Sequence, residues 1–275
     1  MPCPLLPIKI VWGLDFYPTG LKTLVFIYIC SMTASEIKQI KALSQKKYRD
    51  ESGLFVVEGE KMVAEALKSG FVVEKIYRIE EIGREAMSRI TQLSSPSPVL
   101  AVLRQRFSEP SGKIAPGLYL ALDAIRDPGN LGTIIRIADW FGLDGIIASP
   151  DTVELYNPKV VQATMGAIFR VNFQYRDLTE FLPEVLASDG DVYGTFLDGE
   201  NIYGSQISTG ADSPVVIVIG NESKGISEEV ADLVTDSLFI PPYPDGVRSS
   251  ESLNAAVATA ITVAEFRRRL HSASL

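Results

Sequence analysis

Val215-Val216-Ile217-Val218-Ile219 ends abruptly in Gly220-Asn221-Glu222-Ser223-Lys224-Gly225. A strand apolar at both parities must be covered on both faces, which places it inside a parallel sheet flanked by helices. The polar, glycine-containing turn at its carboxyl end lies where open α/β sheets bind ligands. Leu118 to Leu122 is a second run of this kind. Strand-like and helix-like segments alternate from about Lys113 to the C-terminus, the signature of an α/β fold with a parallel sheet.

The spacing predicts strands over 118–122, 145–148, 168–173, 191–197, 214–219 and 238–241. Helices are predicted from Leu131 to the stop at Gly142 and over 158–166, 178–187, 228–232 and 252–270, with Asp127-Pro128-Gly129-Asn130 read as a turn. Ser252 is the expected cap of the last helix, and Arg267-Arg268-Arg269 suits its C-terminal end.

The N-terminal part has a different rhythm. Ser35 is placed to cap a helix through Lys46. Strands follow over 55–59, 72–79 and 99–103, and helices over 60–68 and 81–93. They form a small α/β layer domain ending near Phe107, before the linker-like Ser108-Glu109-Pro110-Ser111-Gly112. Domains are therefore expected at 32–108 and 113–275. Residues 1–31 carry Pro2, Pro4, Pro7 and Pro18 and an apolar run from Leu21 to Cys30. That run is shorter than the roughly 20 residues of a membrane span. The segment reads as an upstream start or an unstructured extension.

Composition removes whole classes of chemistry. The formal charge over 275 residues is −8, so any nucleic-acid contact must come from local basic patches. One candidate is Lys46-Lys47-Tyr48-Arg49. Cys3 and Cys30 are the only cysteines and His271 the only histidine, so no disulfide framework, zinc site or His-based triad is expected. This fits a reducing cytoplasm, with no membrane and no metal.

Three blocks carry candidate chemistry. In the first, Asn130 lies at a helix start and Arg136 six residues on, flanked by Ile135 and Ile137. Such an arginine is expected to be partly enclosed and to have an anionic partner. The second is Gly220 to Gly225, where Gly220 lets a ligand approach the backbone and Asn221 and Glu222 are polar anchors. In the third, Ile240-Pro241 precedes Ser252-Leu253-Asn254 and a helix N-terminus, whose unpaired N–H groups can hold a polar ligand edge. Taken singly, each block also suits an ordinary turn, capped helix or salt bridge.

In this order the blocks, Asn-x-Gly-x-x-x-Arg, Gly-Asn-Glu-x-x-Gly and Ile-Pro followed by Ser-Leu-Asn, resemble the SpoU (TrmH-type) family of RNA ribose methyltransferases, within the SPOUT superfamily. The N-terminal part is similar to the L30e-like substrate domain many members carry. The resemblance implies a trefoil-knotted parallel sheet, a homodimer and S-adenosylmethionine as cofactor. It assigns catalysis to Arg136, with Asn130, Glu222, Ser252 and Asn254 arranging the ribose. It assigns cofactor binding to Gly220, Asn221, Gly225, Ile240, Pro241, Leu253 and Leu197. The substrate implied is ribosomal RNA ahead of transfer RNA, with Lys46, Lys47 and Arg49 as RNA contacts. A catalytically silent RNA-binding or ribosome-assembly protein of the same fold is the alternative. This chain departs from the pattern in the long loop 242–251 and in its acidic balance.

Overall fold

The structure is a computed structural model and describes residues 32–107, 114–208, 210–244 and 252–273. The expectations for residues 1–31, for the linker at 108–112 and for most of the loop 242–251 lie outside those residues. The chain divides into two compact units. One runs to Ala64 and takes in Val72–Arg104; the other holds Glu65–Phe71 and the residues from Gln105 on.

The first unit starts with helix α1 (Ala34–Ala42), and its cap is Thr33, not Ser35. Thr33 Oγ1 accepts from Glu36 N (3.1 Å), and a Glu36 oxygen accepts from Thr33 N (2.9 Å), a reciprocal capping box. Helix α2 (Lys46–Ser52) is separate and ends at Gly53, whose φ of 65° suits the left-handed cap. Strand β1 (Leu54–Glu58), helix α3 (Glu60–Lys68), strand β2 (Val73–Arg78), helices α4 (Ile79–Ile82) and α5 (Arg84–Ile90) and strand β3 (Val99–Arg104) follow. The single helix expected over 81–93 is thus two short helices, broken at Gly83 with φ 81°. The sheet is β1-β3-β2, antiparallel at both junctions. Ile37, Ile40 and Leu43 pack with Val56, Met87, Ile90 and Leu100 in its core.

The second unit contains strand β4 (Gly117–Leu122), helix α6 (Pro128–Trp140), strand β5 (Gly145–Ala148), helix α7 (Pro158–Ala163), a 3₁₀ turn over Ala167–Phe169, strand β6 (Phe173–Tyr175), helix α8 (Leu178–Leu186), strands β7 (Asp191–Asn201) and β8 (Pro214–Ile219), helix α9 (Glu228–Ala231), strand β9 (Asp236–Phe239) and helix α10 (Ala255–Ala273). These strands form one six-stranded sheet, β6-β5-β4-β8-β7-β9, parallel throughout. Every residue of β8 is buried, and every residue of β4 except the half-buried Tyr119, as the double-sided apolar runs require. Each such Val or Ile contributes roughly 1.5–3 kcal/mol by leaving water. Phe181, Leu182 and Val185 of α8 cover one face against Val192, Val216 and Val218.

Several predicted bounds shift. The strand expected over 168–173 begins only at Phe173, because Ala167–Phe169 closes as a turn after Gly166, with φ 98°. The last strand ends at Phe239, before Ile240-Pro241. Asp127 to Asn130 is not a free turn: Asp127 caps α6 and Pro128 opens it. Helix α10 begins at Ala255, so Ser252 is not its cap, and its backbone stays helical through His271. Arg267 donates to the carbonyls of Phe141 and Gly142, and Arg269 to those of Ser205 and Ile202. The arginine run therefore pins α10 to the end of α6 and to the loop after β7.

Chain order reverses at β4. The chain leaves it toward β5 and β6 on one side, and β8 lies on the other. The loops after β4 and β8 thus flank the switch point, where the carboxyl ends of a parallel sheet leave a crevice.

Candidate functional site

The loop after β8 closes on itself. Asn221 and Gly225 exchange backbone hydrogen bonds, both 2.9 Å, and Gly225 takes φ 74° to do so. Asn221 Oδ1 accepts from Ser223 N and Lys224 N, and its Nδ2 donates to the Ala124 carbonyl at 2.7 Å, tying this loop to the one after β4. A Cβ on Gly220 would lie 2.2 Å from the Gly225 carbonyl carbon. The space Gly220 leaves open is filled by the loop's own backbone, not by a ligand.

Glu222 ties its own loop to the start of α6. Its carboxylate accepts from Arg126 N (3.3 Å), Asp127 N (3.1 Å) and Asn130 Nδ2 (2.9 Å). Asn130 is held in turn: Asp127 caps its N–H at 2.8 Å, and its Oδ1 accepts from Asn254 Nδ2 at 2.8 Å. Asn254 Oδ1 then accepts from Ala256 N (3.0 Å) and Val257 N (3.3 Å), so Asn254 does the capping expected of Ser252. The chain Glu222–Asn130–Asn254 fixes both asparagine amides, since each nitrogen and oxygen has a defined partner. Burial pushes the Glu222 carboxyl up, but the hydrogen bonds from Asn130 and the neighbouring backbone outweigh it and hold the group below its ordinary value. Glu222 is therefore a bound carboxylate and a poor proton acceptor.

Arg136 behaves in the opposite way. It lies on the exposed side of α6, and its guanidinium has no ion pair or hydrogen bond among the described residues. The enclosed, partnered arginine expected from its apolar neighbours is not found, because Ile134 and Ile135 turn inward and Arg136 does not. Gly132 of the same motif has a packing role: a Cβ there would lie 2.4 Å from the Ala163 side chain, so only glycine lets α6 and α7 approach this closely.

Ser252 is exposed, and its hydroxyl has no partner among the described residues. Ile240 and Pro241 are half-buried after β9. Leu253 is 45% exposed, and Leu197 is 67% exposed on β7, where the pairing with β9 breaks between Thr195 and Glu200.

A crevice of about 720 Å³ opens beside the network, between the ends of β4, β5 and β8. It is lined by Asp123, Arg126, Ser149, Asp151, Asn221, Glu222 and Lys224, among others. Arg126 is paired with Asp151 (2.9 Å), and Asp123 accepts from both the N–H and the hydroxyl of Ser227.

In the first unit the basic cluster separates. Lys46 and Lys47 are exposed and face Asp50 (2.6 Å) and Glu51 (3.9 Å) on their own helix. Arg49 is only 2% exposed and donates to the Leu43 carbonyl at 2.8 Å. It is a structural residue and is removed from the RNA contacts. Sequence reasoning placed Asp127 in a turn and Gly132 in the motif without seeing the capping role of one or the packing role of the other; the Asp-Pro pair before an apolar helix was the available signal for Asp127.

Residues 117–264 match the SpoU rRNA Methylase family, and residues 34–121 match the MRM3-like substrate binding domain. The chain belongs to the SpoU rRNA methylase family. It is 32% identical over 248 residues to the 23S rRNA (guanosine(2553)-2'-O)-methyltransferase RlmP of Bacillus subtilis (strain 168), covering 84% of this chain and 96% of that one. A solved AdoMet-bound rRNA methyltransferase from Sinorhizobium meliloti is 33% identical with a TM-score of 0.78, covering 87% and 97%. A putative TrmH-family RNA methyltransferase from Porphyromonas gingivalis is 34% identical with a TM-score of 0.75, covering 87% and 100%. Seen as a SpoU member, the chain keeps its motif asparagines and Glu222 in a scaffold and leaves Arg136 and Ser252 unengaged.

Proposed function

We propose that this chain transfers a methyl group from S-adenosylmethionine to a ribose 2′-hydroxyl of ribosomal RNA. The observation that carries the reading is the clasp itself. Glu222, Asn130 and Asn254 come from three separate segments and converge through hydrogen bonds of 2.9 and 2.8 Å, with Arg136 free on the helix that carries Asn130.

Bound cofactor supplies a methyl group carried on a sulfonium. Gly220, Asn221, Gly225, Leu197, Ile240, Pro241 and Leu253 would hold it; the exposed Leu197 and Leu253 suit its purine ring. A ribose hydroxyl is a weak nucleophile, so the protein must orient it and stabilise the oxygen as its proton leaves. Arg136 does this as a permanent cation: a guanidinium does not give up its proton in a protein, which rules it out as a base. Glu222, held low and fully engaged, is unsuited to that task too, so the proton passes to water or to a substrate phosphate. Glu222 acts by fixing Asn130 and Asn254, and Ser252 offers its free hydroxyl to the sugar.

The finer features follow the family. The chain beyond β9 threads a trefoil knot, two copies pair, and the N-terminal unit is an L30e-like RNA-binding domain with Lys46 and Lys47 on its surface. The enzyme works in the cytoplasm without a metal. Mapping 2′-O-methyl positions in ribosomal RNA from cells with and without the gene tests the reading. One site is expected to vanish; an unchanged map rejects it and favours a silent RNA-binding protein.

A further inference from the structure

Residues 105–275 hold twelve Lys and Arg against twenty-three Asp and Glu. In so acidic a segment a cation left without a partner is worth locating. Arg106 is one. Its backbone is pinned, since Tyr156 Oη accepts from its N–H at 2.8 Å and donates to its carbonyl at 2.5 Å. Its side chain is exposed, and the guanidinium has no hydrogen bond or ion pair among the described residues. The neighbouring Phe107 meets the Tyr156 ring edge-on (5.8 Å, 88°), which leaves Phe107 64% exposed.

Beside this pair opens a cavity of about 200 Å³, walled by Phe71, Arg106, Tyr156, Phe169, Arg170 and Phe173. Phe71 and Phe169 meet edge to face at 5.2 Å. Arg170 is engaged by Asp139 (2.7 Å), so Arg106 is the cation available to a ligand. The cavity is below the roughly 300–1,000 Å³ of sites for larger small molecules. It lies at β6, the edge strand, three places along the sheet from β8. At roughly 4.8 Å per strand, that is well away from the Glu222 clasp.

An unpaired guanidinium on a pinned stretch of backbone, beside an exposed aromatic ring and a small aromatic-walled cavity, matches one nucleotide, with its phosphate on the arginine and its base on the exposed ring. We propose that Arg106, Phe107 and this cavity form a second RNA contact that captures one unpaired nucleotide of the substrate, remote from the transfer site. The inference rests on the RNA methyltransferase reading.

The test uses the full-length protein and a 23S ribosomal RNA transcript carrying 4-thiouridine. Irradiation should cross-link peptides containing Phe107 or residues 169–173. Arg106→Glu should bind the transcript about tenfold more weakly, and Phe107→Ala about fivefold more weakly, with Phe107→Trp restoring binding. S-adenosylmethionine affinity should be unchanged in all three, which also reports intact folding. Wild-type binding with no cross-link at these peptides, or Arg106→Glu binding within twofold of wild type, overturns the pocket alone. A wild-type protein that ignores the transcript overturns the pocket and the methyltransferase reading together.

Discussion

Two regions built from the same signature motifs stand in contrast. In the clasp, Glu222, Asn130 and Asn254 have their polar side-chain groups engaged by other parts of the protein. A few residues along, Arg136 and Ser252 have no partners among the described residues. The difference teaches that a motif mixes two jobs. Engaged groups set geometry and contribute to stability, whereas unengaged groups are kept for something outside the chain. A buried polar group that loses its partner costs about 1–3 kcal/mol, while an exposed, unpaired one is nearly free to remove.

The largest expected effect comes from the unengaged side. Arg136→Ala should slow methyl transfer by about a hundredfold or more, the scale of losing one charge-stabilising group. Its unfolding free energy should stay within about 0.5 kcal/mol of wild type. Denaturant titration alongside a transfer assay reads both; a large stability loss would merge the two regions.

Next is Glu222→Ala, which strands the Asn130 amide and the Asp127 N–H. A loss of about 2–4 kcal/mol is expected, read as a lower denaturation midpoint. Because the Glu222 carboxyl is held below its ordinary 4.5, its contribution is complete above that pH and fades as pH falls through the lowered value. Glu222→Gln should therefore lose stability at neutral pH and lose less than wild type on acidification. Parallel pH profiles for the two would show that the carboxylate is not the keystone.

Gly132→Ala sharpens the contrast within one helix, since the added methyl would meet Ala163. A cost of about 1–3 kcal/mol is expected, by thermal denaturation. Smallest of all, Ser252→Ala should leave stability within about 0.5 kcal/mol of wild type, while Asn254→Ala should cost about 1 kcal/mol from the cap alone. If Ser252→Ala proves the more destabilising, the capping assignment is reversed.

The sheet was legible because β4 and β8 are apolar at both parities, a pattern only a doubly covered strand tolerates. Helix ends were less so. Thr33 and Ser35 are chemically equivalent caps, and only the reach of Glu36 back to Thr33 decides between them. The same ambiguity misplaced the start of α10, where Ser252 and Asn254 both qualify and the bond to Asn130 selects Asn254. The motifs indicated which residues matter but not how. Gly220 was read as room for a ligand, yet the room is taken by Gly225. Arg49 looked like part of a basic surface, yet helix α2 turns it inward to the Leu43 carbonyl. Such assignments depend on which way a helix faces, which a short polar segment does not reveal.

The central claim is that an unengaged arginine on the helix that carries the clasp's Asn130 drives methyl transfer to RNA. The direct measurement is single-turnover transfer of labelled methyl from S-adenosylmethionine to a 23S ribosomal RNA transcript by wild type and Arg136→Ala, with cofactor affinity measured calorimetrically in both. The account predicts transfer by wild type, a loss of at least about a hundredfold in the variant, and equal cofactor affinity. Full-speed transfer by Arg136→Ala, or no transfer by wild type despite bound cofactor, would contradict it.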